Sequence, residues 1–138
     1  MKKALVISGG GSKGAFGGGV AQYLLNNKKN KYDLFVGSST GSLMVSHLAL
    51  GNVDALKRIY TSVNQHSIFS NNPFVIKKRH GEKVITINHL NTLWNFINGR
   101  KTFGESKNLR KLIKNEVTEE IYNQILESDV DAVIAVSN

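Results

Sequence analysis

Gly37-Ser38-Ser39-Thr40-Gly41 sets a serine between two glycines at the end of an apolar run. Leu34-Phe35-Val36 before it reads as a buried strand, and Ser42 through Leu50 after it reads as a helix. A strand that turns sharply into a helix holds the serine hydroxyl exposed at the tip of the turn. Backbone amides and the positive end of the helix dipole lie just there. Glycines at 37 and 41 suit such an elbow, because a Cβ at either place would meet the neighbouring strand or helix. Ser39 is therefore the candidate nucleophile for acyl transfer, which also needs a base to take its proton and donors to hold an oxyanion. The same residues equally describe a polar turn in which Ser38-Ser39-Thr40 only caps the next helix.

A second glycine-rich segment bears on that choice. Gly9-Gly10-Gly11-Ser12-Lys13-Gly14 follows the apolar run Ala4-Leu5-Val6-Ile7 and opens a helix. Consecutive glycines let several amides point into one concavity, which can bind an anion or stabilise a transition-state oxyanion, and Lys13 adds positive charge. Gly9, Gly11 and Gly14 also satisfy the G-x-G-x-x-G dinucleotide pattern. That pattern wants an acid at the end of the second strand. The nearby acid, Asp33, precedes the second strand instead, so a nucleotide-binding domain is the alternative reading and the weaker one.

Taken together, the two segments resemble the patatin-like phospholipase family. Ser8 to Phe16 is similar to its oxyanion-hole segment, with Lys13 where arginine is more usual. Gly37 to Leu43 is similar to its nucleophile elbow, with Thr40 where alanine is frequent. The close match covers about the first 50 residues; further on, the Leu109-to-Ile113 helix and the Ala132-to-Val136 strand are similar in kind. The resemblance implies a three-layer α/β/α sandwich with a mainly parallel sheet. It also implies a serine lipid acyl hydrolase of phospholipase A or lysophospholipase type, acting on a phospholipid or other acyl lipid without metal or organic cofactor. Ser39 would form the acyl-enzyme while the amides of Gly10, Gly11 and Ser12 hold the oxyanion, with Lys13 assisting. The family's base is an aspartate in a downstream Asp-Gly motif. None of Asp33, Asp54, Asp129 and Asp131 stands in one, so the dyad partner is expected beyond Asn138 and these residues alone are expected to be inactive. A non-catalytic lipid-binding module that keeps the elbow is a further alternative.

The elements that must position these residues follow from apolar spacing. Lys3–Ile7 and Tyr32–Val36 read as strands, with a helix over Gly14–Asn27 between them. Ser42–Leu50 is a helix closed by Gly51, and Val53–Val63 another. Ser67–Pro73 is turn-rich, Lys83–Ile87 a short strand and Leu90–Ile97 a short helix. Lys107–Val117 and Glu119–Leu126 carry helical periodicity, the second capped by Thr118, and Val130–Val136 suits a buried parallel strand. This alternation is that of an α/β fold. Residues 1–138 read as one domain, the N-terminal part of a catalytic domain truncated at its C-terminus.

Composition bounds the rest. With 138 residues, 41% hydrophobic and 20% charged, the chain is an ordinary globular one. It has no cysteine, which removes disulfides, thiol nucleophiles and thiolate metal sites. His47, His66, His80 and His89 read as structural or surface residues, and with no HExxH or acidic cluster no metal site is expected. Met1-Lys2-Lys3 is followed by too short an apolar run for a signal peptide, and no segment is long enough to span a bilayer. A soluble, cytoplasmic chain is expected. The net charge of +8 favours acidic partners, yet no nucleic-acid module is recognisable. An exposed loop of Phe69, Pro73, Phe74 and Val75 rimmed by Lys77-Lys78-Arg79-His80 reads as a peripheral membrane contact.

Overall fold

Leu5 and Ile7 alternate with Ala4 and Val6 in the first strand, and that period of two decides which face of a sheet each can cover. The computed structural model describes residues 2–79, 81–99 and 105–136. They divide into two compact units, Met1–Ser62 with Asn115–Asn138, and Val63–Lys114. In the first unit, β1 (Ala4–Ile7) and β2 (Leu34–Ser38) pair in parallel, and β5 (Asp131–Ala135) pairs in parallel with the other edge of β2. The three-stranded order β1-β2-β5 places the elbow strand at the centre.

The helices of this unit pack on one face of the sheet. α1 (Gly14–Gln22) follows the glycine loop and continues through a π turn over Tyr23–Asn27. α2 (Ser42–Ala49) follows the elbow and buries Met44, Val45 and Leu48 against Phe35 of β2, Ala21 of α1 and Leu56 of α3 (Val53–Ser62). Burying side chains of this size contributes on the order of 1.5–3 kcal/mol each. α2 stops where Gly51 takes φ +67 and its amide donates to the Leu48 carbonyl, the stop expected of that glycine. α7 (Glu119–Leu126) has the expected cap, Thr118 Oγ1 accepting from the Ile121 amide at 3.3 Å.

Val6, Val36 and Val133 stand in register on the sheet's other face, where Val6 is 68% and Val133 45% exposed. Among the described residues, the α/β architecture is thus a parallel sheet and one of the two expected helical layers.

In the second unit, β3 (Phe74–Arg79) and β4 (Glu82–Ile87) form an antiparallel hairpin, accompanied by α4 (Gln65–Ile68), α5 (His89–Ile97) and most of α6 (Lys107–Glu116). The hairpin corrects one reading. Phe74 and Val75 are paired strand residues and not loop, Pro73 is buried, and the Phe69 ring packs edge-on against Phe74 at 5.9 Å. Phe74 to Arg79 escaped notice as a strand because four consecutive polar residues, Lys77 to His80, mask its alternation. His80 itself, Arg100-Lys101 and the last two residues lie outside the described residues.

His47 is the polar residue inside the first core, only 2% exposed, and neither ring nitrogen has a partner among the described residues. Burial holds its pKa below the ordinary 6.5, with Arg58 acting the same way and Glu116 opposing. The unfolded chain therefore takes up the proton first, so stability is intact above about pH 6.5 and falls as the pH drops below it. Thermal unfolding followed from pH 7 to pH 5 should show Tm falling, and His47→Leu should flatten that slope without lowering Tm at pH 7.

Candidate functional site

Parallel strands bring their carboxyl ends to one edge, so the loop after β1 and the turn after β2 meet there. Gly9–Gly14 and Gly37–Gly41 are brought together in this way. β2 runs extended through Ser38, and the chain then reverses into a single 3-10 turn, Ser39–Gly41, that leads into α2. Ser39 takes φ +51, a left-handed conformation that L residues rarely adopt and that costs about 1–3 kcal/mol. The sequence calls for a sharp elbow, and the backbone has one.

Two close approaches impose it. A Cβ built on Gly37 would lie 2.5 Å from the Gly41 carbonyl oxygen and 2.6 Å from a Val45 methyl. A Cβ on Gly41 would collide with the Ile7 carbonyl at the end of β1. The G-x-S-x-G glycines are thus spatial requirements of the turn, one facing α2 and the other facing the first strand. Gly9 is the third. Its Cβ would sit 2.5 Å from Ser39 Cβ and 3.0 Å from Ser39 Oγ, so the glycine loop lies directly against the serine hydroxyl.

Thr40 ties the two segments together. Its Oγ1 accepts from the Gly10 amide at 3.1 Å, and its side chain packs on Gly14, where a Cβ would come within 3.2 Å. Its carbonyl accepts from the Tyr60 hydroxyl of α3 at 3.0 Å. Burial raises the Tyr60 pKa above 10.0, which keeps that hydroxyl a donor. Ser42 Oγ adds a bond to the Ser39 carbonyl. The sequence marks Thr40 only as standing where the family more often has alanine, and it does not single out Tyr60. Tyr60 stands 20 residues from the elbow, a distance that gives no local signal of the contact.

The glycine loop forms its own 3-10 turn, Gly11–Lys13, with Gly11 at φ +56. The Lys13 amide donates to the Gly10 carbonyl and the Gly14 amide to the Gly11 carbonyl. The amides of Gly11 and Ser12, first in the turn, have no partner among the described residues, as the start of such a turn requires. Gly10, by contrast, spends its amide on Thr40. Ser39 Oγ is exposed and free of hydrogen bonds among the described residues. Lys13 is exposed beside Gly10 and makes no ion pair among them. An open groove of about 380 Å³, lined by Leu5, Ile7, Phe16, Gly17 and Val20, runs along β1 and α1 and reaches Gly9, Gly10 and Lys13.

The first unit's other chemistry-bearing residues stand elsewhere. Asp33 precedes β2, where its carboxylate accepts from the Lys3 amide at 2.6 Å. Asp131 opens β5, 3.6 Å from the Lys2 amine, with Asp129 just ahead of it. These three lie at the amino edge of the sheet, the end opposite Ser39, and Asp54 is in the exposed first turn of α3. Asp33 is therefore on the wrong edge for a dinucleotide ribose, as its place in the sequence indicated. His47 is shut in the core. No group of three His, Asp or Glu able to hold a metal occurs among the described residues. No helix among them is long and apolar enough to cross a membrane.

A parallel α/β sheet that presents an exposed serine on a left-handed turn, with a glycine loop against it, defines a class of fold and site. Within that class, the chain belongs to the patatin-like phospholipase family, whose family model matches residues 5–136. The match extends well past the first 50 residues that carry the motifs. This is a family of lipid acyl hydrolases, so a lipid is the substrate class that membership assigns. Neither the curated proteins nor the solved structures contain a match to the chain.

The elbow makes opposite demands on adjacent residues. Gly41→Ala should destabilise the chain by about 3 kcal/mol or more, because a β1 carbonyl must move. Ser39→Gly should stabilise it by roughly 0.5–1 kcal/mol through relief of the positive φ. Denaturant midpoints of the two variants measure both signs.

Proposed function

We propose that the chain is the nucleophile-bearing part of a serine lipid acyl hydrolase of phospholipase A or lysophospholipase type. The observation that carries the proposal is the strained Ser39 turn with Gly9 against its hydroxyl, at the edge where the Gly11 and Ser12 amides are unpaired among the described residues. Membership of the patatin-like family supports the same reading.

In this mechanism Ser39 Oγ attacks the ester carbonyl carbon, and the carbonyl π electrons move onto oxygen. The Gly11 and Ser12 amides hold that oxyanion, and Lys13 favours it electrostatically. Gly10 belongs to the loop but serves it structurally, since Thr40 already takes its amide. The intermediate collapses to the Ser39 acyl ester, expelling the lysolipid or glycerol alcohol with the proton that left Ser39. Water then repeats the attack, releases the fatty acid and restores the serine. The apolar groove beside the loop has the lining an acyl chain needs.

The base is an aspartate outside residues 1–138. The four aspartates within them stand at the far edge of the sheet or in α3, so none can take the Ser39 proton. On this reading the whole stretch is part of one catalytic domain, and alone it does not turn over.

In the full-length protein, Ser39→Ala should abolish hydrolysis of a chromogenic acyl ester and covalent labelling by a fluorophosphonate. An unchanged rate would sink the assignment. Thr40→Val keeps the shape of the side chain but leaves the Gly10 amide unpaired. It should lower kcat about fivefold to tenfold, the effect of one hydrogen bond on the loop, while Thr40→Ser stays within about twofold. Steady-state kinetics on the short-chain ester separates the two.

A further inference from the structure

In the second unit a helix is turned inside out. α5 directs its asparagines inward: Asn91 Nδ2 donates to Asn71 Oδ1 at 3.0 Å, Asn71 Nδ2 donates to Asn95 Oδ1 at 3.0 Å, and Asn95 is 2% exposed. Its other side carries Leu90, Leu93, Trp94 and Ile97 at the i, i+3, i+4, i+7 spacing of a single stripe, with Phe96 beside them. All five are between 56% and 82% exposed. A helix ordinarily buries that stripe, and a contiguous apolar patch left in water marks an interaction surface.

The distribution of charge selects the partner. Val63–Lys114 holds ten of the chain's eighteen Lys and Arg but only two of its ten acids, Glu82 and Glu105. The whole net charge of +8 therefore resides in this unit, while the other unit balances eight basic residues against eight acids. On the hairpin, Phe74 opposes Ile87, Ile76 opposes Ile85 and Lys78 opposes Lys83, so an apolar strip ends in two like charges held across from each other. Such a pair is unfavourable in water and is relieved by anions. A second copy would bring the same positive charge against it, which disfavours self-association. Concentrated Lys and Arg on the same unit as exposed Trp, Phe and Leu match the composition of segments that lie in the interface of an anionic bilayer.

We propose that the outer face of α5, with the basic residues of this unit, is a docking surface for an anionic lipid bilayer. It carries the protein to the phase that holds its substrate. That purpose rests on the acyl-hydrolase reading; the surface itself does not. The site differs from the loop of Phe69 to Val75 expected in the sequence, whose apolar residues are partly consumed by the hairpin and by Pro73 burial.

Trp94 is the single tryptophan of residues 1–138, so with any tryptophan outside them replaced by phenylalanine its fluorescence reads this surface directly. With vesicles of phosphatidylcholine containing about 30% phosphatidylserine, its emission should shift to the blue and be quenched by acyl-brominated lipid. Phosphatidylcholine alone, or salt raised to about 0.5 M, should weaken binding about tenfold. Leu93→Asp with Phe96→Asp should lower the partition constant about tenfold or more by removing buried apolar area. Lys78→Glu with Lys83→Glu should remove the preference for anionic vesicles. Ser39→Ala should bind like the unaltered protein, which separates docking from catalysis, and in the full-length protein Leu93→Asp should hydrolyse a soluble short-chain ester at the ordinary rate. The proposal is overturned if the protein ignores anionic vesicles, or binds them without quenching of Trp94. It is equally overturned if Trp94 is already shielded from acrylamide before vesicles are added, because another segment or a second copy then covers the stripe.

Discussion

The site depends on one contact, the approach of the Gly41 Cα to the Ile7 carbonyl at the end of β1. Because no side chain stands between them, the first strand and the elbow can close to backbone distance. That closeness sets the glycine loop against Ser39, since Gly9 follows β1 by one residue after Ser8. Gly37 does the same toward α2, where Gly41 and Val45 fill the space a Cβ would need. With both sides closed, Ser39 has nowhere to go except the left-handed region. The strain at the serine is stored by packing around it, as is usual for turns at functional sites.

Packing behind the elbow keeps the arrangement rigid. Met44, Val45 and Leu48 place α2 over Phe35, and α3 reaches the elbow through the Tyr60 hydroxyl on the Thr40 carbonyl. Thr40 then passes that support to the loop by accepting the Gly10 amide. Core, helix, turn and loop form one chain of contacts. The partition of the glycine-loop amides follows from it. The Gly10 amide is taken by Thr40, and those of Gly11 and Ser12 have no partner among the described residues.

Much of this was legible in the sequence and some was not, for physical reasons. β1, β2 and β5 showed because short apolar runs between polar turns suit buried parallel strands. Gly51 and Thr118 showed because stopping and capping a helix need particular residue types. The first strand of the hairpin did not show, since Lys77 to Arg79 alternate with nothing apolar. α5 was legible as a helix but not as an inverted one. Its apolar stripe looks the same in the sequence whether it faces a core or water, and only the bonded asparagines opposite reveal which. The family match across residues 5–136 was likewise beyond what the motifs alone could carry.

By itself the sequence determined the residue types that chemistry requires: a serine between glycines, a glycine-rich loop with a lysine, and no cysteine. These are local and need no partner to be recognised. Only the tertiary structure decided that Gly9 lies on Ser39, that Thr40 takes the Gly10 amide, and that β5 pairs with β2 so that Asp131 stands at the far edge of the sheet. Each joins residues about 30 or more positions apart, or places them on opposite ends of strands. Such relations are set by strand direction, register and packing, which no stretch of chain carries alone.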